Sequence, residues 1–182
     1  MSPHIELVEL SPDALHALAA GDLAGANENT SLTLSPYFVD PEFQSTWIRR
    51  SKQIVEDPRC AEWITRIVVD AGTRLSVGRA GFHGPPDGDG MVEVGYAIDP
   101  PYQRQGYARS ALEALLERAK REPDVHTVRA TISPDNEASR NLVLQYGFVE
   151  VGEQWDEEDG LETIFEVRAG VLDPSVVRHV MR

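Results

Sequence analysis

Apolar and polar residues follow two different periods along this chain, and each change of period marks an element. "HIELVEL" (4–10) alternates every second residue, the spacing of a half-buried strand. In "SPDALHALAAG", Ser11 suits a cap, Pro12 the first helical position and Gly21 the stop of a short helix. Residues 22–40, rich in Asn, Gly, Ser and Pro, predict an irregular or partly helical loop. "DPEFQSTWIRRSKQIVED" (40–57) returns to helical spacing through Phe43, Trp47, Ile48 and Ile54. "AEWITRIVVD" and "TRLSVGRAGFHG" read as two strands joined by a turn at Ala71-Gly72, and "PPDGDG" as the turn after them. "MVEVGYAI" is the next strand. Ala108, Ala111, Leu112, Leu115, Leu116 and Ala119 then form one apolar helical stripe, with Glu117 placed to pair with Arg121. "VHTVRATI", a helix over about 134–146 and strands near 148–155 and 161–168 complete the order β-α-α-β-β-β-α-β-α-β-β. An antiparallel meander feeding strand-helix-strand-helix units predicts the α/β class with a mixed sheet.

The length of 182 residues, with 41% apolar and 26% charged residues, suits one globular domain over 1–170. The tail at 171–182 has the pattern of a further short helix. Cys60 is the only cysteine, which excludes an internal disulfide and a thiolate metal cluster. Neither a secretory pattern nor a membrane-length apolar run is present, so the expected compartment is the cytoplasm and no membrane partner is expected. A net charge of −13 without a basic patch argues against nucleic acid. Such charge also keeps proteins soluble and attracts cationic substrates. Histidines 4, 16, 83, 126 and 179 lack metal-ligand spacing, so no metal is expected, and His83 and His126 read as structural.

Chemistry concentrates in "PPYQRQGYARSALEALLERAK" (101–121). A helix N-terminus offers unpaired backbone N–H groups and partial positive charge, a ready anion site. Gly106 allows close backbone approach, and Gln103 and Arg104 carry additional donors. The alternative is a glycine that serves only the turn. The Walker-type phosphate loop is excluded because no Gly-Lys-Ser/Thr run exists, and a dinucleotide loop because its three glycines are missing.

The pattern Gln/Arg-x-x-Gly-x-Gly/Ala is met by Gln103, Gly106 and Ala108. Together with "VEVGYAIDP" and "NEASRNLVLQYGF", it resembles the GNAT superfamily of acetyl-CoA-dependent N-acetyltransferases, in the branch that includes acetyltransferases of ribosomal-protein N-termini. The resemblance implies a sheet of about seven strands, largely antiparallel, with about four helices. It also implies acetyl-CoA as co-substrate. The backbone of Gln103, Arg104, Gln105, Gly106, Tyr107 and Ala108 would hold the pyrophosphate, and the pantetheine arm would pair near Ile98 and Asp99 beside a splayed strand. The acceptor would be a small-molecule amine or a peptide N-terminus, and the protein a monomer or homodimer.

Strand alternation places Glu93, Gly95 and Ala97 on one face and Val92, Val94, Tyr96 and Ile98 on the other. An amine must shed a proton before attacking a thioester, and a carboxylate acting through water suits that task. Glu93 matches the family's base; its alternative is a solvated or salt-bridged glutamate. Asn136 and Ser139 match a cofactor-contacting "N-x-x-S" element, and Ser133 and Pro134 suit the start of that helix. The family's acid, a tyrosine five residues before the Phe of "GF", is Val143 here, leaving Ser139 and Tyr146 as candidates. Core packing is the competing role of Tyr146. The run Asp156, Glu157, Glu158, Asp159 is either a solvated turn or an acidic rim for a cationic acceptor. Tyr37 and Phe38 are expected in the acceptor wall, and Trp47, Trp63 and Trp155 as core or wall aromatics. The reading is an N-acetyltransferase working by direct transfer; its rival is a non-catalytic acyl-CoA-binding sensor or scaffold.

Overall fold

The computed structural model describes residues 2–157 and 159–171. Its strands are β1 (Ile5–Val8), β2 (Arg66–Asp70), β3 (Ser76–Phe82), β4 (Met91–Ile98), β5 (Thr127–Ile132), β6 (Val149–Asp156) and β7 (Gly160–Arg168). The α-helices are α1 (Pro12–Ala19), α2 (Leu23–Glu28), α3 (Gln44–Glu56), α4 (Tyr107–Arg121) and α5 (Glu137–Leu144). The seven strands form a mixed sheet in the order β1-β2-β3-β4-β5-β7-β6. The β4–β5 pair is parallel, whereas β1–β2, β2–β3, β5–β7 and β6–β7 are antiparallel. This is the expected α/β class, with one helix more than expected. No helix among the described residues is long and apolar enough to cross a membrane.

Backbone contacts divide the chain into two compact units, Met1–Pro85 with Gly95–Leu112, and Pro86–Val94 with Glu113–Arg182. In the first, α1 begins where the sequence indicates: the Ser11 hydroxyl accepts from the Ala14 N–H at 3.1 Å and donates to the Asn29 carbonyl at 2.9 Å. Leu15, Leu18, Phe38, Trp47, Ile54, Ile64 and Ile67 build its core. Phe38 is therefore a core residue and not an acceptor wall: its ring is buried, and its carbonyl accepts from the Trp47 indole N–H at 2.7 Å. The expected strand start at "AEW" is also corrected. Asp57 accepts from the Arg59 N–H ahead of Pro58, which winds Pro58–Glu62 into 3-10 turns and delays β2 to Arg66.

In the second unit, β5 pairs along its whole length with β7, from Thr127↔Arg168 to Ile132↔Thr163. Its ladder with β4 consists of Met91↔Thr127, Val92↔Val128 and Glu93↔Arg129. Helix α5 starts at Glu137, later than expected. Asn136 is the residue whose side chain accepts an N–H, from Ser139 at 3.1 Å, so the cap falls there and not at Ser133. The expected tail helix lies outside the described residues from 172 onward.

Candidate active site

The loop that leads into α4 belongs to the first unit. The Gln103 amide donates to the Ile98 carbonyl at 2.9 Å and the Gln105 amide to the Pro101 carbonyl at 2.9 Å, so both glutamines brace the loop from within. Arg104 and Gly106 both have left-handed backbone, φ 61° and 93°. Alternation of this kind lines up successive N–H groups into an anion-binding concavity. Among the described residues, no N–H from Arg104 through Ala108 has a protein acceptor; the first helical bond is Ser110 N–H to the Gly106 carbonyl at 3.0 Å. A side chain at position 106 would be strained by its φ and would bring its Cβ to 3.0 Å from Pro3 Cδ.

The helix start is anchored at two further points. The Tyr107 hydroxyl donates to Asp70 Oδ2 at 2.8 Å, and the Ser110 hydroxyl to the Pro3 carbonyl at 2.7 Å. Asp70 is held below the usual carboxylate range by the Thr73 N–H first, then by the Tyr107 and Thr73 hydroxyls. Burial first, then Asp70, pushes the Tyr107 phenol up. Tyr107 thus contributes an anchor through its side chain. Asp99 is buried and accepts from the Ser35 hydroxyl at 3.0 Å, while its N–H donates to the Val77 carbonyl at 2.9 Å. The backbone near Ile98 and Asp99 is therefore partly engaged by the protein itself.

In the second unit, Glu93 lies on the half-exposed face of β4, as alternation requires, with Val92 and Val94 buried opposite. Its Oε1 accepts from the Thr131 hydroxyl at 2.5 Å. Its register partner Arg129 pairs with Glu166 at 2.6 Å across β5 and β7. Ser139 is half-buried, and among the described residues its hydroxyl has no hydrogen-bond partner. Val143 is fully buried. Tyr146 is buried too, and its hydroxyl donates to Glu113 Oε1, the bonding expected of a core tyrosine. Trp155, 76% exposed, is not a core residue, whereas Trp47 is core.

Two residues outside the sequence-based set stand out. Glu162 on β7 is 8% exposed and accepts from the Gln154 amide at 2.9 Å. Burial pushes its carboxyl up; the Gln154 bond opposes this, and Asp159, Asp156 and Glu93 reinforce it. Period two in "GLETIFEVR" would have grouped Glu162 with Ile164 and Glu166, but not its burial. The other is His83, whose ring lies over Gly95: a Cβ on Gly95 would stand 3.0 Å from its Nε2. Nothing local in "GFHG" signals this, because it depends on how neighbouring strands align. Among the described residues, no group of three or more His, Cys, Asp or Glu is disposed to hold a metal ion.

A family model described as acetyltransferase (GNAT) domain matches residues 4–149. The chain belongs to the GNAT acetyltransferase family. YjdG of Bacillus subtilis, an uncharacterised N-acetyltransferase, is 32% identical over 83 residues, 46% of this chain and 49% of that protein. The chain thus spans about half the length of the curated relatives it matches. Among solved structures, a mutant of the spermidine N-acetyltransferase SpeG from Vibrio cholerae aligns with TM-score 0.65 at 19% identity, over 94% of this chain and 98% of that one. RimL, a ribosomal-protein α-N-acetyltransferase in complex with coenzyme A, aligns with TM-score 0.61 at 17% identity, over 92% and 95%. At such identities the likeness shows the fold.

Proposed function

We propose that this protein transfers an acetyl group from acetyl-CoA directly to a primary amine. The observation that carries the reading is the run of main-chain N–H groups from Arg104 to Ala108, without an acceptor among the described residues and gathered at the N-terminus of α4. Such a run suits a pyrophosphate, whose negative charge is favoured by the helix end. The braces from Gln103 and Gln105 hold the loop in shape, so little ordering is needed on binding. When bound, acetyl-CoA supplies the activated acyl group as a thioester.

In this reading Glu93 receives the acceptor's proton, directly or through a water, with the Thr131 hydroxyl orienting the carboxylate. Ser139, whose hydroxyl has no partner among the described residues, is the candidate acid for the leaving sulfur, and Tyr146 serves packing. The acceptor is a protein N-terminus or a small-molecule amine. SpeG and RimL, by their names, act on one of each kind. The acidic turn around Asp156 and Asp159 and the net charge of −13 both favour a cationic acceptor.

The test is calorimetry with coenzyme A, followed by thiol release across a panel of polyamines, diamino acids and N-terminal peptides. Heat of binding and thiol release with at least one acceptor are expected. Binding without release on any of them would point to a sensor module. Glu93→Gln is expected to lower kcat by roughly 10²-fold or more with coenzyme A affinity unchanged; an unchanged kcat would remove Glu93 from the mechanism.

A further inference from the structure

We infer that His83 is a second proton acceptor of the proposed transfer. The inference rests on the cofactor placement above and is built within the first unit. From the braced loop, the coenzyme arm would run back along β4, and Asp99 to Gly95 is about 13 Å of extended strand. Along that stretch the half-exposed face carries only Ala97 and Gly95, side chains too small to block a narrow ligand. At its far end the His83 imidazole lies over Gly95, close enough that any side chain at position 95 would press on Nε2.

The placement of His83 is held by the surrounding side chains. Its carbonyl accepts two hydrogen bonds, from the Gln53 amide at 2.7 Å and the Arg50 guanidinium at 3.1 Å. Arg50 is itself buried, donating to the Thr65 hydroxyl at 3.0 Å and to the Gln53 side-chain Oε1 at 2.8 Å. Two donors on one carbonyl, one of them a buried cation, fix the backbone from which the ring projects. The residue is partly exposed. Imidazole is the side chain best suited to exchange protons near neutrality. As the amine nitrogen bonds to the thioester carbonyl carbon and the carbon–sulfur bond breaks, the nitrogen's proton passes to the imidazole and on to solvent. The thiolate takes its proton from the acid proposed above.

Two measurements test this. Histidine ring signals in nitrogen-15 NMR are followed while acetyl-CoA is added, with His83 assigned by its absence in His83→Gln. The His83 signals are expected to move with acetyl-CoA and to differ between acetylated and free coenzyme. If calorimetry shows binding and the His83 signals stay still, the inference is overturned although the cofactor reading survives; if there is no binding, both fall. On an acceptor that wild type uses, His83→Ala is expected to lower kcat by about 10²-fold with coenzyme affinity unchanged, and added imidazole to restore part of it. An unchanged kcat, or a loss that imidazole cannot relieve, would leave the residue a structural role only.

Discussion

Gly106 and Glu162 show how single residues act here through backbone geometry and through burial. At Gly106 the left-handed backbone and the nearby Pro3 ring both exclude a side chain. Gly106→Ala is expected to cost about 1–2 kcal/mol of stability and to weaken coenzyme A binding at least tenfold, because the loop must shift to admit a Cβ. Calorimetry and thermal melts check this, and unchanged affinity would mean the loop does not grip the cofactor. Glu162 is governed by burial, which raises its carboxyl above the ordinary value of 4.5. The folded protein then keeps this proton to a higher pH than the unfolded chain does. Stability therefore declines as pH rises from the ordinary carboxylate value through the raised one, and stays lower above it. Glu162→Gln should melt at a higher temperature than wild type at pH 7, with the gap closing toward pH 4. A variant less stable at pH 7 would show the carboxylate to be favourably held. Of these two residues, only the glycine could be singled out from the chain itself.

Among the elements, α4 and β4 were the most legible, because each has one buried face that imposes its period on the residues. Ala111, Leu112, Leu115, Leu116 and Ala119 are all buried, as their spacing requires. Leu112 is fully enclosed, so Leu112→Ala is expected to cost about 2–5 kcal/mol, read as a shift in denaturant midpoint without a change in slope. A cost below 1 kcal/mol would mean that the site collapses around the smaller side chain. Less legible was α2, whose sequence "LAGANE" contains a glycine and little periodicity. It is held by the Asp22 carboxylate accepting from the Gly25 N–H at 2.9 Å and by Asn27, which bonds both the N–H and the carbonyl of Leu34. The Asn27 bonds join residues separated along the chain, so local propensity carries no trace of them.

For the whole chain, 30 acidic side chains against 17 basic ones create a field that attracts cations and repels anions. The two proposed ligands carry opposite charge, so salt should affect them in opposite directions. Raising ionic strength from about 0.05 to 0.5 M is expected to lower kcat/KM for a cationic acceptor several-fold, as screening shortens the reach of the field. KM for the anionic acetyl-CoA should stay level or fall. Steady-state kinetics at both salt concentrations decides this; an acceptor term insensitive to salt would argue for recognition of an uncharged amine.

By itself the sequence determined the class of fold, the order of most elements, the loop ahead of α4 and the polar face of β4. Each of these depends on residues close together in the chain, through periodicity, caps or turn chemistry. Tertiary structure alone decided that the Tyr146 hydroxyl meets Glu113, that Glu162 is buried beside Gln154, and that His83 lies over Gly95. These outcomes follow from register and packing between elements, where small shifts in alignment change which side chains meet.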